Sequence, residues 1–207
     1  MNADHVELIW SDPRAEVHRF VVGPLDNNVY VVRCRTSGVA VLIDAANEPE
    51  RLLRVANGLG VRSVLTTHGH WDHIGAVPQV REAGIDVWVR TEDAEMLDGF
   101  DHLLDDDAVY AVGEVAMRTI HTPGHTPGSI SFALEGTPLL FTGDTLFPGG
   151  PGNTSFERGD FATIIDSIER RLFGAYGDDT IIWPGHGASS TIGVERPHLE
   201  EWVARGW

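Results

Sequence analysis

The sequence predicts an α/β fold of layered sheets flanked by helices, and three observations carry that prediction. Strand-like runs dominate both halves of the 207-residue chain, helical patterns follow strands in each half, and Phe161 to Phe173 carries apolar residues at helical spacing. Helices after strands in both halves favour sheets with helical covers over a sandwich of sheets alone. The length fits one domain over residues 1–207, with enough apolar content to bury a core.

Strands are expected at Val17–Val22, Val29–Arg35 and Val39–Asp44, separated by turn signals at Gly23-Pro24, Asp26-Asn27-Asn28 and Ser37-Gly38. Pro49 to Leu59 reads as a helix, with proline at its start and Gly58 and Gly60 near its end. The apolar run from Val61 to Leu65 continues through Thr66 and Thr67 as a strand ending at His68, and a helix is expected from about Asp72 to Ala83. Further strands are expected at Ile85–Val89, Val115–Ile120, Ser129–Leu134, Leu139–Thr142 and Thr180–Trp183. Phe161, Ile164, Ile165, Ile168 and Leu172 make one apolar helix face, which should pack on a sheet. No linker, low-complexity tract or internal repeat divides the chain.

The formal charge is −16, and all fifteen basic residues are arginine. So acidic a surface repels a phosphate backbone and disfavours nucleic-acid partners. An anionic small molecule remains admissible: two divalent cations bring about four positive charges, and Asp72 with a second aspartate would remove only about two. No apolar run reaches the roughly eighteen residues of a membrane span, and Met1-Asn2-Ala3-Asp4-His5 lacks a charged-then-apolar export signal. The single cysteine, Cys34, cannot form an internal disulfide and reads as a small filler in a strand; a reducing cytoplasm is the simplest location.

Residues 68–73 read His68-Gly69-His70-Trp71-Asp72-His73, three imidazoles and a carboxylate directly after a strand. Imidazole nitrogen and carboxylate oxygen suit Zn2+ or Fe2+, and chance surface enrichment is a poor account of so dense a group. Other strand ends repeat the device. A glycine stands immediately before a candidate ligand in Gly69-His70, Gly124-His125, Gly143-Asp144 and Gly185-His186, letting the backbone turn sharply as the strand stops. His68, His70, Asp72, His73, His125, Asp144 and His186 are too many for one tetrahedral zinc but suit two divalent ions that share a carboxylate. One partition gives His68, His70 and His125 to one ion and Asp72, His73 and His186 to the other, with Asp144 bridging. Zinc is the first expectation, and iron and manganese accept the same donors.

The run Thr67 to Gly75, with Thr122-Pro123-Gly124-His125, Gly143-Asp144-Thr145-Leu146-Phe147 and Pro184-Gly185-His186-Gly187, resembles the metallo-β-lactamase superfamily over essentially the whole chain, and its glyoxalase II branch in particular. The resemblance implies a four-layer αββα sandwich with two metals at one edge of the sheets. It also implies hydrolysis of a small acyl-thiol by a hydroxide between the metals, with Asp72 orienting it and handling its proton. Asp44 is implied as a partner that fixes a ligand histidine, against the alternative of a turn or helix-cap aspartate before Pro49. Two departures stand out. Full-length glyoxalase II enzymes carry a helical C-terminal extension that helps hold glutathione, whereas about twenty residues follow His186 here. Their loop after the bridging aspartate also has a basic residue where this chain has Asn153. Arg158 could compensate at the substrate, or be a solvated loop arginine. A thiol carrier other than glutathione is therefore expected.

Subclass B1 and B2 β-lactamases place cysteine where Asp144 stands, which argues against that activity. Persulfide dioxygenases resemble the chain too, with one iron held here by His70 or His68, His125 and Asp144; lactonases share the ligand set. A nuclease is disfavoured by charge, and the oligomeric state is left open. His121 reads as structural, and His5, His18, His102 and His198 as surface residues without partners. Trp71 is expected to pack over the cluster, and Asp105-Asp106-Asp107 to be a solvated loop without calcium-site spacing.

Overall fold

The computed structural model describes residues 5–206, and alternation along its strands decides the layering. One sheet has seven strands in spatial order: β1 Glu7–Ser11, β2 Ala15–Val22, β3 Asn27–Cys34, β4 Ala40–Ile43, β5 Val61–Leu65, β6 Asp86–Arg90 and β7 His102–Leu104. It is antiparallel through β4 and parallel from β4 to β7. Each parallel step needs a crossover, and helices supply the first two: α1 Pro49–Leu59, then α2 Trp71–Ile74 with α3 Val77–Glu82. A 3₁₀ segment, Thr91–Met96, leads from β6 to β7.

The second sheet contains β8 Val109–Val112, β9 Val115–His121, β10 Ile130–Leu134 and β11 Leu139–Gly143. A short ribbon follows, β12 Leu146–Phe147 with β13 Gly150–Pro151, then α4 Phe161–Asp166 running on as a π-helical stretch, Ser167–Phe173. The strands β14 Ile181–Pro184 and β15 Ser190–Thr191 complete the sheet in the order β15-β14-β11-β10-β9-β8; α5 Ile192–Glu195 and α6 Leu199–Arg205 close the described chain.

Three buried layers show how period-two patterning produces four layers of structure. Val29 and Val31 of β3 face α1 and α3 with Leu52, Ala56, Val77 and Val80. Tyr30 and Val32 face the other way, into a central core with Leu65, Ile130, Phe132 and Phe141. Leu140 and Ile182 point out of the second sheet onto Ile164, Ile168, Leu172 and Trp202. The order helix, sheet, sheet, helix is the expected αββα sandwich. Both strands and helices owe most of their stability to these layers, at about 1.5–3 kcal/mol for each large apolar side chain fully buried.

The structure departs from the sequence reading in several places. The helix expected from Asp72 to Ala83 breaks after Ile74. Gly75 lies against the Ala46 carbonyl, 2.7 Å from where a Cβ would stand, and the Ala76 N–H donates to the Ala45 carbonyl at 2.9 Å instead of continuing the helix. Pro78, without an N–H, then sits at the start of α3. The edge strands β1, β7 and β8 escaped the pattern because they are short or largely exposed. The Asp105–Asp107 loop is not simply solvated: Asp106 accepts two hydrogen bonds from Arg171, at 2.7 and 2.9 Å, and one from the His121 N–H. Cys34 is buried in β3. No helix among the described residues is long and apolar enough to cross a membrane. Met1 to Asp4, read above for an export signal, lie outside the described residues.

Candidate metal centre

Seven candidate ligands meet at one edge of the two sheets. His68 and His70 lie between β5 and α2, and Asp72 and His73 in α2 itself; His125 follows β9, Asp144 follows β11 and His186 follows β14. The donor atoms of His68, His70 and His125 lie within 4.8 Å of one another, as do those of Asp72, His73 and His186, and those of His68, His73 and Asp144. Asp144 reaches both outer groups: its carboxylate oxygens lie 3.7 Å from His125 Nε2, 3.5 Å from His73 Nε2 and 3.6 Å from His186 Nε2.

Hydrogen bonds on the far ring nitrogens set the tautomers. His73 Nδ1 lies 2.8 Å from Asp44 Oδ2, His125 Nδ1 lies 2.7 Å from the Asn153 carbonyl and His186 Nδ1 lies 2.9 Å from the Leu25 carbonyl. Each acceptor demands a proton on Nδ1 and so leaves Nε2 as a lone pair facing the cluster. His68 completes the pattern through a relay. The Thr67 hydroxyl donates to Asp44 at 2.8 Å, so its oxygen accepts from His68 Nδ1 at 3.0 Å. His68 Nε2 is then a buried lone pair without a hydrogen-bond partner, and Asp144 Oδ1 is likewise buried without one. His73 Nε2 and His186 Nε2, both left as lone pairs, stand 3.2 Å apart and are unfavourable neighbours unless something positive lies between them, whereas His70 Nδ1 can donate to the His125 Nε2 lone pair at 2.8 Å. Borderline nitrogens and hard carboxylate oxygens in this count fit divalent cations.

The protein groups alone set up an uneven field. Burial, followed by the other imidazoles, holds His68 well below the usual histidine range and brings His70 down to about 4; burial also lowers His125. Burial works against a proton on His73 too, but the Asp144 and Asp44 carboxylates outweigh it and raise that imidazole to about 9. At Asp72 burial is outweighed by His186, His73 and the Asn27 amide, so its carboxyl stays below the ordinary range.

Backbone geometry explains the glycines before the ligands. Gly124 has φ +132°, a region that only glycine enters freely, and an added Cβ would stand 2.3 Å from the Ile164 nitrogen. Gly185 is pressed against the site itself: its Cβ would lie 2.3 Å from Asp144 Oδ1 and 2.6 Å from His73 Cε1. Asp44 adopts φ +63° without being glycine, a strained conformation that puts both carboxylate oxygens on the Thr67–His73 segment. It does not cap α1, whose N-cap position is Glu48.

Three supporting residues lay outside the sequence reading. Asp93 is fully buried and accepts from the Gly69 N–H at 2.9 Å, the Thr126 hydroxyl at 2.5 Å and the Gly128 N–H at 2.9 Å, so one carboxylate ties the His70 loop to the His125 loop. Asn27 donates to Asp72 Oδ2 at 2.8 Å, and Asn28 donates to the Pro184 and Gly187 carbonyls on either side of His186. Both asparagines carried only a turn signal, because nothing local says what the end of a hairpin will touch.

The cluster floors a cavity of about 370 Å³ whose walls include Trp71, Phe156 and Asn153. Trp71 is largely exposed and lines the mouth of the cavity that the cluster floors. Asn153 lines the cavity and serves His125 through its carbonyl, while its side chain accepts from the Ser155 N–H. Arg158 points elsewhere, at Glu95 (3.1 Å) and the Glu92 carbonyl (2.7 Å), and is absent from the cavity lining. His121 bonds the Pro127 carbonyl. Three of the histidines expected to be partnerless have carboxylates close by: His18 with Glu16, His102 with Asp86 and His198 with Glu201.

Comparison with known proteins places this geometry. The family profile described as metallo-beta-lactamase superfamily matches residues 22–186. Hydroxyacylglutathione hydrolase GloC of Haemophilus influenzae is 37% identical over 179 residues, covering 76% of this chain and 84% of its own. Among solved structures, the BLEG-1 B3 metallo-beta-lactamase superposes with a TM-score of 0.81 at 31% identity, covering 88% of this chain and 97% of its own. ETHE1 from Myxococcus xanthus gives 0.80 at 27% identity, covering 92% of this chain and 89% of its own. A profile that spans most of the chain, and ends on its last candidate ligand, makes this protein a member of the metallo-beta-lactamase superfamily.

Proposed function

We propose that the protein is a binuclear metal-dependent thioesterase of the glyoxalase II type, which converts a small acyl-thiol and water into a carboxylic acid and a free thiol. The observation that carries the reading is the pair of three-residue donor groups, linked by Asp144, beneath an open cavity. The name of the Haemophilus influenzae relative, a hydroxyacylglutathione hydrolase, supports a thioester as the bond cleaved. In this reading His68, His70 and His125 hold one ion, Asp72, His73 and His186 the other, and Asp144 bridges. Zinc is the proposed metal, with iron and manganese the alternatives.

Divalent cations held there would bring the pKa of a water down to about 7 and offset charge developing on the substrate carbonyl oxygen. The chain's own residues supply the positioning. Asp72 Oδ2, fixed by the Asn27 amide at 2.8 Å, orients the water and takes its proton. Asp44, the Asn153 carbonyl and the Leu25 carbonyl keep three imidazoles turned inward throughout. The water oxygen bonds to the carbonyl carbon, the carbon–sulfur bond breaks, and the proton leaves with the thiolate. Thiolates are weak enough bases to depart readily near neutral pH. The proposal includes a cytoplasmic setting, one domain over residues 1–207 and a small-molecule substrate in place of nucleic acid.

The test is thiol release by the metal-loaded protein from a thioester panel, read beside elemental analysis. About two ions per chain with release of thiol at ordinary enzyme efficiency is the expected result. One iron per chain, with oxygen consumed on a persulfide and no thioester cleaved, would replace the reading with an iron dioxygenase. Turnover confined to lactones would replace thioester hydrolysis with lactonase activity.

A further inference from the structure

Apolar side chains crowd the mouth of the cavity, where an acidic, highly charged protein would be expected to present polar groups. Trp71 is 62% exposed, Phe156 53% and Leu25 50%, and with Phe147 they form the wall above the candidate ligands. The wall is built onto the cluster. The Phe156 ring stands edge-on to His70, with centroids 5.2 Å apart, and Phe147 lies 6.5 Å from His186 in a nearly parallel arrangement. Contiguous exposed apolar surface of this kind is costly in water and marks a place where a ligand covers it.

The electrostatics point the same way. Among the described residues that line the cavity there is no arginine, while Asp72 and Asp144 both contribute. Arg158, two positions from Phe156, is already engaged by Glu95 and the Glu92 carbonyl. Cations in the two donor groups would be neutralised in large part by Asp72, Asp144 and the ionised water, so little positive field would reach the rim. A substrate arm bearing free carboxylates would meet hydrophobic rings there and an acidic surface beyond.

We propose that the arm of the substrate beyond its reacting carbonyl is an uncharged apolar chain, alkyl or aryl, seated between Trp71 and Phe156, and that a thiol carrying free carboxylates is the poorer carrier. The inference rests on the hydrolase reading above and specifies its substrate class. The sequence difference at Asn153, where a basic residue would favour an anionic carrier, acquires a structural counterpart: a hydrophobic wall in place of a charged one.

The test uses full-length, metal-loaded protein and thioesters of N-acetylcysteamine with acyl chains of two to eight carbons, each paired with the glutathione thioester of the same acyl group. kcat/KM should rise by up to about fourfold per methylene until the cavity is filled, the factor that corresponds to one buried CH2. The neutral carrier should exceed glutathione by about tenfold or more. Trp71→Ala and Phe156→Ala should flatten the chain-length series, whereas Leu8→Ala, an exposed apolar residue on β1, should keep its slope. A flat series in the native protein, or preference for the glutathione partner, overturns the proposal. If no thioester is cleaved, the hydrolase reading fails separately. Calorimetry on the ketone analogues, with CH2 in place of sulfur, then decides the apolar arm: affinity that climbs with chain length supports it, and constant affinity overturns it.

Discussion

Four of the seven candidate ligands come from one six-residue stretch of the first sheet, whereas the other three stand singly at strand ends of the second. The two regions are aimed by different means. Side chains from elsewhere brace the contiguous loop: Asp44 holds Thr67 and His73, Asp93 holds the Gly69 N–H, and Asn27 holds Asp72. The single residues are steered by backbone, through the Asn153 and Leu25 carbonyls and through glycines pressed against their neighbours. A loop that packs several donors into a few positions cannot point them all by its own path, so it borrows polar braces. One donor at the end of a strand takes much of its direction from the sheet, so its side-chain braces, Asp93 beside His125 and Asn28 beside His186, hold neighbouring residues and not the donor itself.

Asp144 belongs to the second region but touches both donor groups, so its removal should be the most damaging single change. Asp144→Ala should bring metal content down from about two ions toward one and reduce activity by at least about a hundredfold, beyond the usual loss of a supporting partner. Elemental analysis and kcat measured on one preparation check this. Two ions with full activity would show that the partition through Asp144 is wrong.

Losing a brace from the first region should cost about 10–100-fold in metal affinity. Asp44 is the brace to remove, since it satisfies three donors. Asp44→Asn tolerates the left-handed backbone but turns an NH2 group toward either the Thr67 N–H or the paired Thr67 and His73 donors, so it should recover little. Competition against a chromogenic chelator measures the loss. Native affinity in Asp44→Ala would mean that the loop aims itself.

The same contrast explains what could be read from the chain. A dense cluster such as His68–His73 is visible because ligands adjacent in sequence are adjacent in space whatever the fold. Asp144 and His186 were visible through strand ends and their glycines, which report local backbone demands. Asp93, Asn27 and Asn28 gave no such sign: each acts on a residue more than twenty positions away, and its identity alone fits a turn or a surface helix. Layered sheets with helical covers followed from helical patterns after strands in both halves, and the four-layer αββα order from the family resemblance. The break at Gly75 did not, because it depends on the Ala45–Ala46 backbone arriving alongside.

Backbone steering in the second region can be probed with one methyl group. Gly185→Ala places a Cβ where Asp144 Oδ1 and His73 Cε1 now lie, closer than any real contact, so the carboxylate must shift. Activity should fall about tenfold, since misplacement of roughly an ångström is enough to cost that much or more. Gly58→Ala in α1, with open space at its Cβ, is the matched control and should be neutral or slightly stabilising. Equal activity in the two variants would remove the glycine from the account of how His186 and Asp144 are placed.

The smallest expected effect concerns the frame behind the second region, where Asp106 links Arg171 of the π-helical stretch to the His121 N–H of β9. Partial burial opposes its ionisation, but Arg171 and the backbone donors outweigh that and keep its carboxyl below the ordinary range. A carboxyl lowered in the folded state stabilises the protein fully above its unfolded pKa of about 3.9 and loses that contribution as pH falls through the lower folded value. Asp106 and Arg171 are each about one-third exposed, so screening limits the pair to about 1 kcal/mol or less. Urea midpoints for the native protein and Asp106→Asn should therefore differ modestly at pH 7 and converge as the pH falls through the lowered folded value, with metal content at pH 7 equal in both. A gap that persists in acid would assign the effect to packing of the side chain, and altered metal content would mean that the frame reaches the donor groups after all.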